Sequence, residues 1–191
     1  MEKKGISLSY ETLIGFENSN DYLTEETLGE VLKILFPEND FIRDKTVPDS
    51  GARSRPDYRN DELMMIVEFD GEKHYRESKK IKSELKKNYV FNLMGYKIIR
   101  IPYFVQISEI VIKNLFDIDV EYKQKYPHGF ISKNVIFPAD YCELGIEKFE
   151  EDLDRFSYIR KDIISSLKSK ITGIGDIDLV LPNSLRYLLK E

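Results

Sequence analysis

The segment from Arg55 to His74 constrains the fold of this chain more than any other. It holds Arg55-Pro56-Asp57, a polar turn at Asn60-Asp61-Glu62, an apolar run from Leu63 to Val67, and then Glu68-Phe69-Asp70-Gly71-Glu72-Lys73-His74. A strand-length run that is apolar on both faces needs cover on both sides. Leu63–Phe69 is therefore expected as a central strand, paired in a hairpin with Arg55–Arg59. Ser78 to about Met94 has the length of a helix, with Gly95 as its stop. Tyr96–Ile101 is β-rich and ends at Pro102. Strand, helix, strand predicts a right-handed βαβ crossover, and with it an α/β fold with a mixed sheet flanked by helices.

The rest of the chain attaches to this unit. Thr24 is placed to cap a helix through Leu35, with Leu28, Val31, Leu32 and Leu35 at helical spacing. Phe36-Pro37 ends it. Ile6–Tyr10 and Phe41–Val47 read as strands, and Pro48–Gly51 as a turn. In the Ser78–Met94 helix, Ile81, Leu85, Tyr89 and Leu93 form the expected buried stripe. Ile107–Phe116 is a further amphipathic helix. Residues 1–121 are expected to form the core domain and 122–191 a mainly helical extension packed on it. Within the extension, Gly145 to Ile171 carries apolar residues at three- and four-residue steps, predicting one long helix or two joined ones. Asp178–Leu181 reads as a strand, and Ser184 as the cap of a terminal helix.

The longest apolar runs are too short to span a bilayer, and no secretory signal is visible at the N-terminus. Cys142 is the single cysteine. It excludes an internal disulfide and a cysteine-built metal cluster, and points to a reducing, cytoplasmic setting. Net charge is −5, yet residues 41–100 carry 14 Lys and Arg against 10 Asp and Glu, a local +4. The acidic stretch from Asp140 to Asp154 supplies much of the opposing charge. Local positive charge, more than the overall balance, draws in a polyanion.

Side chains alternate faces along a strand, so Glu68 and Asp70 share a face. An even-length hairpin loop would bring Asp57 to the same side. Three carboxylates at one sheet edge, with the Phe69 carbonyl as a further ligand, suit Mg²⁺, with Mn²⁺ as a substitute. Such an ion lowers the pKa of a bound water and offsets charge on a phosphate. Lys79, Lys82 and Lys86 share one helix face beyond the cluster, and Lys73 and Arg76 precede them. Arg53, Arg55 and Arg59 alternate along the first hairpin strand. These are candidate contacts to a phosphate backbone, and equally ordinary solvated charges.

These motifs together resemble the PD-(D/E)xK nuclease superfamily, and within it the branch of very-short-patch repair endonucleases and their small relatives. The resemblance rests on Pro56-Asp57-Tyr58, Glu68-Phe69-Asp70-Gly71-Glu72-Lys73-His74, Gly95-Tyr96-Lys97-Ile98-Ile99-Arg100, and Glu25 ahead of Leu28 and Leu32. It covers about residues 20–115. It implies a restriction-endonuclease-like core and Mg²⁺-dependent cleavage of DNA, with RNA left open as a substrate. Asp57 and Glu68 would hold the metal. Asp70 and Glu25 would assist, and Lys73 or His74 would serve the water or the leaving group. One departure stands out: the superfamily's lysine two residues after the glutamate is Asp70 in this chain.

Other residues have plainer readings. Glu25 is also a first-turn carboxylate favoured by the helix dipole. His128 lies in a loop without an evident partner, Cys142 reads as a small buried apolar residue, and Gly173-Ile174-Gly175-Asp176 as a turn. The expected function is a metal-dependent endonuclease acting in restriction or in phage or mobile-element DNA cleavage. The alternatives are a mismatch-directed nicking enzyme and a non-catalytic nuclease-fold module that binds DNA or protein. A homodimer with two sites would favour double-strand cuts, a monomer nicks.

Overall fold

The computed structural model describes residues 24–51, 55–123 and 139–191. The expected strand Ile6–Tyr10, Arg53 and His128 lie outside them. The first described helix, α1 (Glu25–Leu35), starts as the sequence predicts. The Thr24 hydroxyl accepts from the Thr27 amide at 3.1 Å, and the Thr27 hydroxyl accepts from the Thr24 amide at 2.7 Å. This reciprocal cap satisfies two amides that helix geometry leaves open. Leu28, Val31, Leu32 and Leu35 are buried.

Four strands follow in space as in sequence: β1 (Ile42–Arg43), β2 (Tyr58–Asn60), β3 (Met65–Asp70) and β4 (Lys97–Pro102). The first three are antiparallel neighbours, and β3 and β4 are parallel. The expected strands are trimmed. Phe41–Val47 contributes only β1, and the Arg55–Arg59 strand starts at Tyr58. The turn shifts to 61–64, where Met64 takes a left-handed backbone with φ 48°. Tyr58 pairs with Val67 and Asn60 with Met65. The loop is therefore even in length, and Asp57 falls in line with Glu68.

Between β3 and β4 the chain forms a short helix, α2 (Lys73–Arg76), which the sequence reading did not anticipate, and then α3 (Ser78–Leu93). Gly95 follows with φ 89°, the left-handed stop that glycine allows. The predicted inner stripe of α3 is corrected. Leu85, Tyr89 and Leu93 are 63%, 66% and 70% exposed, while Ile81, Glu84 and Phe91 are buried. The sheet face beneath α3 explains this. Ile66 packs there with Phe91, Val47 and Tyr96, but the strand then continues into Glu68 and Asp70. A helix over two buried carboxylates must bring polar groups inward. The opposite face, with Met65, Val67, Ile99 and Ile101, packs into the main core against α1.

After α4 (Glu109–Phe116), the C-terminal segment forms α5 (Glu143–Arg155) and α6 (Arg160–Ile174), joined by the single turn Ser157–Ile159. The Gly145–Ile171 pattern thus resolves into two helices. Asp178–Leu181 is not a strand, because Ile177–Leu179 forms a 3₁₀ turn. The last element is a 3₁₀ helix, Asn183–Lys190, entered through Pro182 with no Ser184 side-chain cap. Phe149, Leu153, Phe156, Leu167 and Leu185 belong to the same hydrophobic cluster as Leu28, Val67 and Ile101. Among the described residues no helix is long and apolar enough to cross a membrane.

Gly145 seats α5. The Cys142 amide donates to the Tyr75 carbonyl at 3.2 Å, and a Cβ on Gly145 would overlap that carbonyl. Cys142 itself is half-buried, with its thiol also directed at this oxygen. Gly173, on α6, meets nothing within 4 Å. Gly145→Ala should therefore lower stability by about 1–3 kcal/mol. Gly173→Ala should raise it by up to about 1 kcal/mol through helix propensity. Urea denaturation of both variants checks this; equal effects would contradict the packing described.

Candidate active site

Glu68 lies in the middle of the β-sheet with its carboxylate on the α3 side. Its side chain is only 3% exposed, and Lys87 from α3 reaches it, Nζ to Oε1, at 2.5 Å. Asp57, just ahead of β2, stands beside it. The Phe69 amide donates to Asp57 Oδ2 at 2.6 Å, and the Asp57 carbonyl accepts from the Asp44 amide at 3.2 Å. Both ends of Asp57 are thus fixed by the sheet. Glu25, the first residue of α1, lies close enough to act on Asp57 electrostatically and also pairs with Arg43 at 3.3 Å.

Burial, with the neighbouring Glu68 carboxylate as the second cause, pushes the Asp57 carboxyl up to about 6. The Phe69 hydrogen bond and the more distant Lys87 pull the other way, and Glu25 adds to the rise. Three carboxylates therefore share a partly buried corner with one inward lysine. Glu68 Oε1 has no hydrogen bond beyond its ion pair with that lysine. The all-oxygen donor set of Asp57 and Glu68 is of the kind that could hold a hard divalent cation. At the predicted ligand Phe69, the amide is the group tied to the site, through Asp57.

Asp70 does not join them. It shares the face of Glu68, as strand parity requires, but its oxygens are taken. The Arg100 guanidinium grips both, with Nε at 2.9 Å from Oδ2, and Lys148 from α5 lies at 3.0 Å. Asp70 is fully buried, which alone would raise its pKa. The Arg100 charge and hydrogen bonds outweigh that, with Lys148 and His74 adding to them, and hold the carboxyl well below the usual range.

His74 also belongs here. Its Nδ1 is 2.6 Å from Glu84 and 3.3 Å from Asp70. Asp70, His74 and Glu84 bring ligand atoms within 4.8 Å of one another. That is metal-like spacing, but two fixed cations already sit on the Asp70 oxygens and oppose a third. Asp70, expected as an auxiliary ligand or orienter, is held by Arg100 and Lys148, and His74, expected to serve the water or the leaving group, lies against Glu84 and Asp70. They form a separate charged lock.

Lys73 is exposed at the start of α2, and Arg76 is half-buried beyond it near Glu72. Lys79, Lys82 and Lys86 are exposed on α3. Arg55 makes only a loose pair with Asp44 at 3.6 Å. Arg59 is not a surface contact. It is buried, donates to the Thr46 carbonyl at 2.7 Å and pairs with Asp61 at 2.8 Å. The residue the motif reading missed is Lys87. The signal was available as helical spacing, since Ile81, Glu84, Lys87 and Phe91 fall on one face. No family model, curated protein or solved structure matches the chain.

The Asp57 shift carries a stability consequence for the metal-free protein. Its folded pKa lies above its ordinary value of 3.8. Folding therefore favours the protonated form, and the associated stability is lost as pH rises from about 4 through 6. Asp57→Asn keeps an acceptor for the Phe69 amide and removes the charge. It should be more stable than wild type at pH 7.5 by on the order of 1–2 kcal/mol and indistinguishable near pH 4. Denaturant titrations in EDTA at the two pH values measure this; an Asn variant less stable at both would refute it.

Proposed function

We propose that the chain is a divalent-metal-dependent endonuclease with a restriction-endonuclease-like core, hydrolysing phosphodiester bonds in DNA. The observation that carries this reading is the corner formed by Asp57 and Glu68, tied to the Phe69 amide and faced by Lys87 at 2.5 Å from Glu68. Asp57 and Glu68 would hold Mg²⁺ or Mn²⁺, which when bound would lower the pKa of a water and offset phosphate charge. Lys87 takes the place of the lysine that position 70 lacks. Its ammonium would orient the attacking water and donate to a phosphoryl oxygen as negative charge develops there. Glu25 would orient Asp57. The exposed Lys79, Lys82 and Lys86 supply positive charge for a phosphate backbone.

One observation favours a second reading, a nuclease-fold module that binds without cutting. Lys87 forms an ion pair with Glu68 within the fold. Incubating the protein with supercoiled plasmid and Mg²⁺ separates the two. An enzyme converts the plasmid to nicked or linear forms, and Lys87→Met slows it about 100-fold or more while circular dichroism stays unchanged. No cleavage with Mg²⁺ or Mn²⁺, with DNA binding retained, would favour the module.

A further inference from the structure

A second charged feature lies on the extension, outside the corner described above. One face of α6 and Glu191 border a half-open pocket of about 430 Å³ whose lining includes Arg160, Lys161, Ile164, Ser165, Lys168 and Glu191. Its charged side chains are three basic and one acidic, in a chain whose net charge is −5. Lys161 and Lys168 form no ion pair within 4.0 Å among the described residues. Arg160 meets Glu191 through two parallel bonds, Nε to Oε2 at 2.9 Å and Nη2 to Oε1 at 2.8 Å. Its Nη1 lies 3.5 Å from the exposed Asp154. The Arg160 hydrogen bonds hold the Glu191 carboxyl below its ordinary value, and Lys168 adds to that pull.

The two-bond fork of a guanidinium on a carboxylate is also the geometry with which arginine grips a phosphate. A carboxylate brings one charge and two oxygens. A backbone phosphodiester matches it, with two free oxygens and one charge, whereas a phosphate monoester or a pyrophosphate end brings a third oxygen and a second charge. The cavity has unspent groups for both: two lysine ammoniums, and two serine hydroxyls able to donate. We infer that this cavity is a phosphate-binding site in which Glu191 stands in for the ligand and competes with it from within the chain. The ligand class is a phosphate group, supplied either by a nucleic-acid strand or by a small phosphate ester. The site owes nothing to Asp57, Glu68 or a metal ion, so it stands or falls separately from the nuclease reading.

The test is run on the full chain in EDTA, where no metal-dependent cleavage interferes. Pyrophosphate is titrated by calorimetry, and a short fluorescein-labelled DNA strand by anisotropy at low salt. Glu191→Gln removes the internal competitor and should tighten binding several-fold, a gain that a damaged fold would not give. Arg160→Ala should weaken it about tenfold, and Lys168→Ala by a smaller factor. Sensitivity of the DNA strand alone would assign the phosphate to a polynucleotide backbone. Sensitivity of pyrophosphate alone would assign it to a small ester. If neither probe responds to Glu191→Gln and Arg160→Ala, the inference is overturned.

Discussion

Glu68 and Asp70 stand two residues apart on one face of a buried strand, and neither can be buried as a carboxylate without a cation. Removing one partner from a buried pair costs about 3–5 kcal/mol, a large share of what a domain of this size has in reserve. The chain meets this demand from different elements. Lys87 comes from the crossover helix, Arg100 from the neighbouring strand, and Lys148 from the C-terminal extension. The arrangement of α3 over the sheet follows from this. A helix that must deliver Glu84, Lys87 and Asn88 inward turns Leu85, Tyr89 and Leu93 to solvent. The docking of α5 follows too. Lys148 bridges Asp70 and Asp152, Tyr75 donates to Asp152 at 2.8 Å, and the ammonium lies over the Tyr75 ring at 4.8 Å.

The two carboxylates meet opposite electrostatic surroundings. Asp70 receives two fixed cations along with His74, and its charge is fully matched within the fold. Glu68 shares one lysine with Asp57 and, at longer range, Glu25. Burial, and after it the neighbouring Glu68 carboxylate, pushes Asp57 toward its neutral form. The strand that carries both carboxylates presents Glu68 rigidly, because Asp70 locks its end to β4 and to α5.

Much of this was legible in the sequence. The two-residue repeat along β3 placed Glu68 and Asp70 on one face, and the βαβ unit followed from the strand–helix–strand pattern. Asp57 joins Glu68 through an even loop, 61–64, which the three-residue turn expected at Asn60-Asp61-Glu62 did not supply. The role of Asp70 was not legible. Parity fixes the side on which a carboxylate emerges but not its partners, and Arg100 and Lys148 lie 30 and 78 positions away. The α3 stripe failed for a related reason. A pattern of apolar residues predicts the inner face only when the surface below is apolar, and here it is charged. Glu68 itself, read together with helical spacing, would have called for an inward lysine and singled out Lys87.

The proposed function rests on Asp57 and Glu68 seating a divalent cation. Calorimetric titration of Mn²⁺ into the metal-free protein at pH 7.5 tests it most directly. The account predicts one binding event in wild type, lost in Asp57→Asn and in Glu68→Gln, and retained in His74→Ala. Binding that survives Asp57→Asn but disappears with His74→Ala would contradict it and move the metal to the Asp70 cluster.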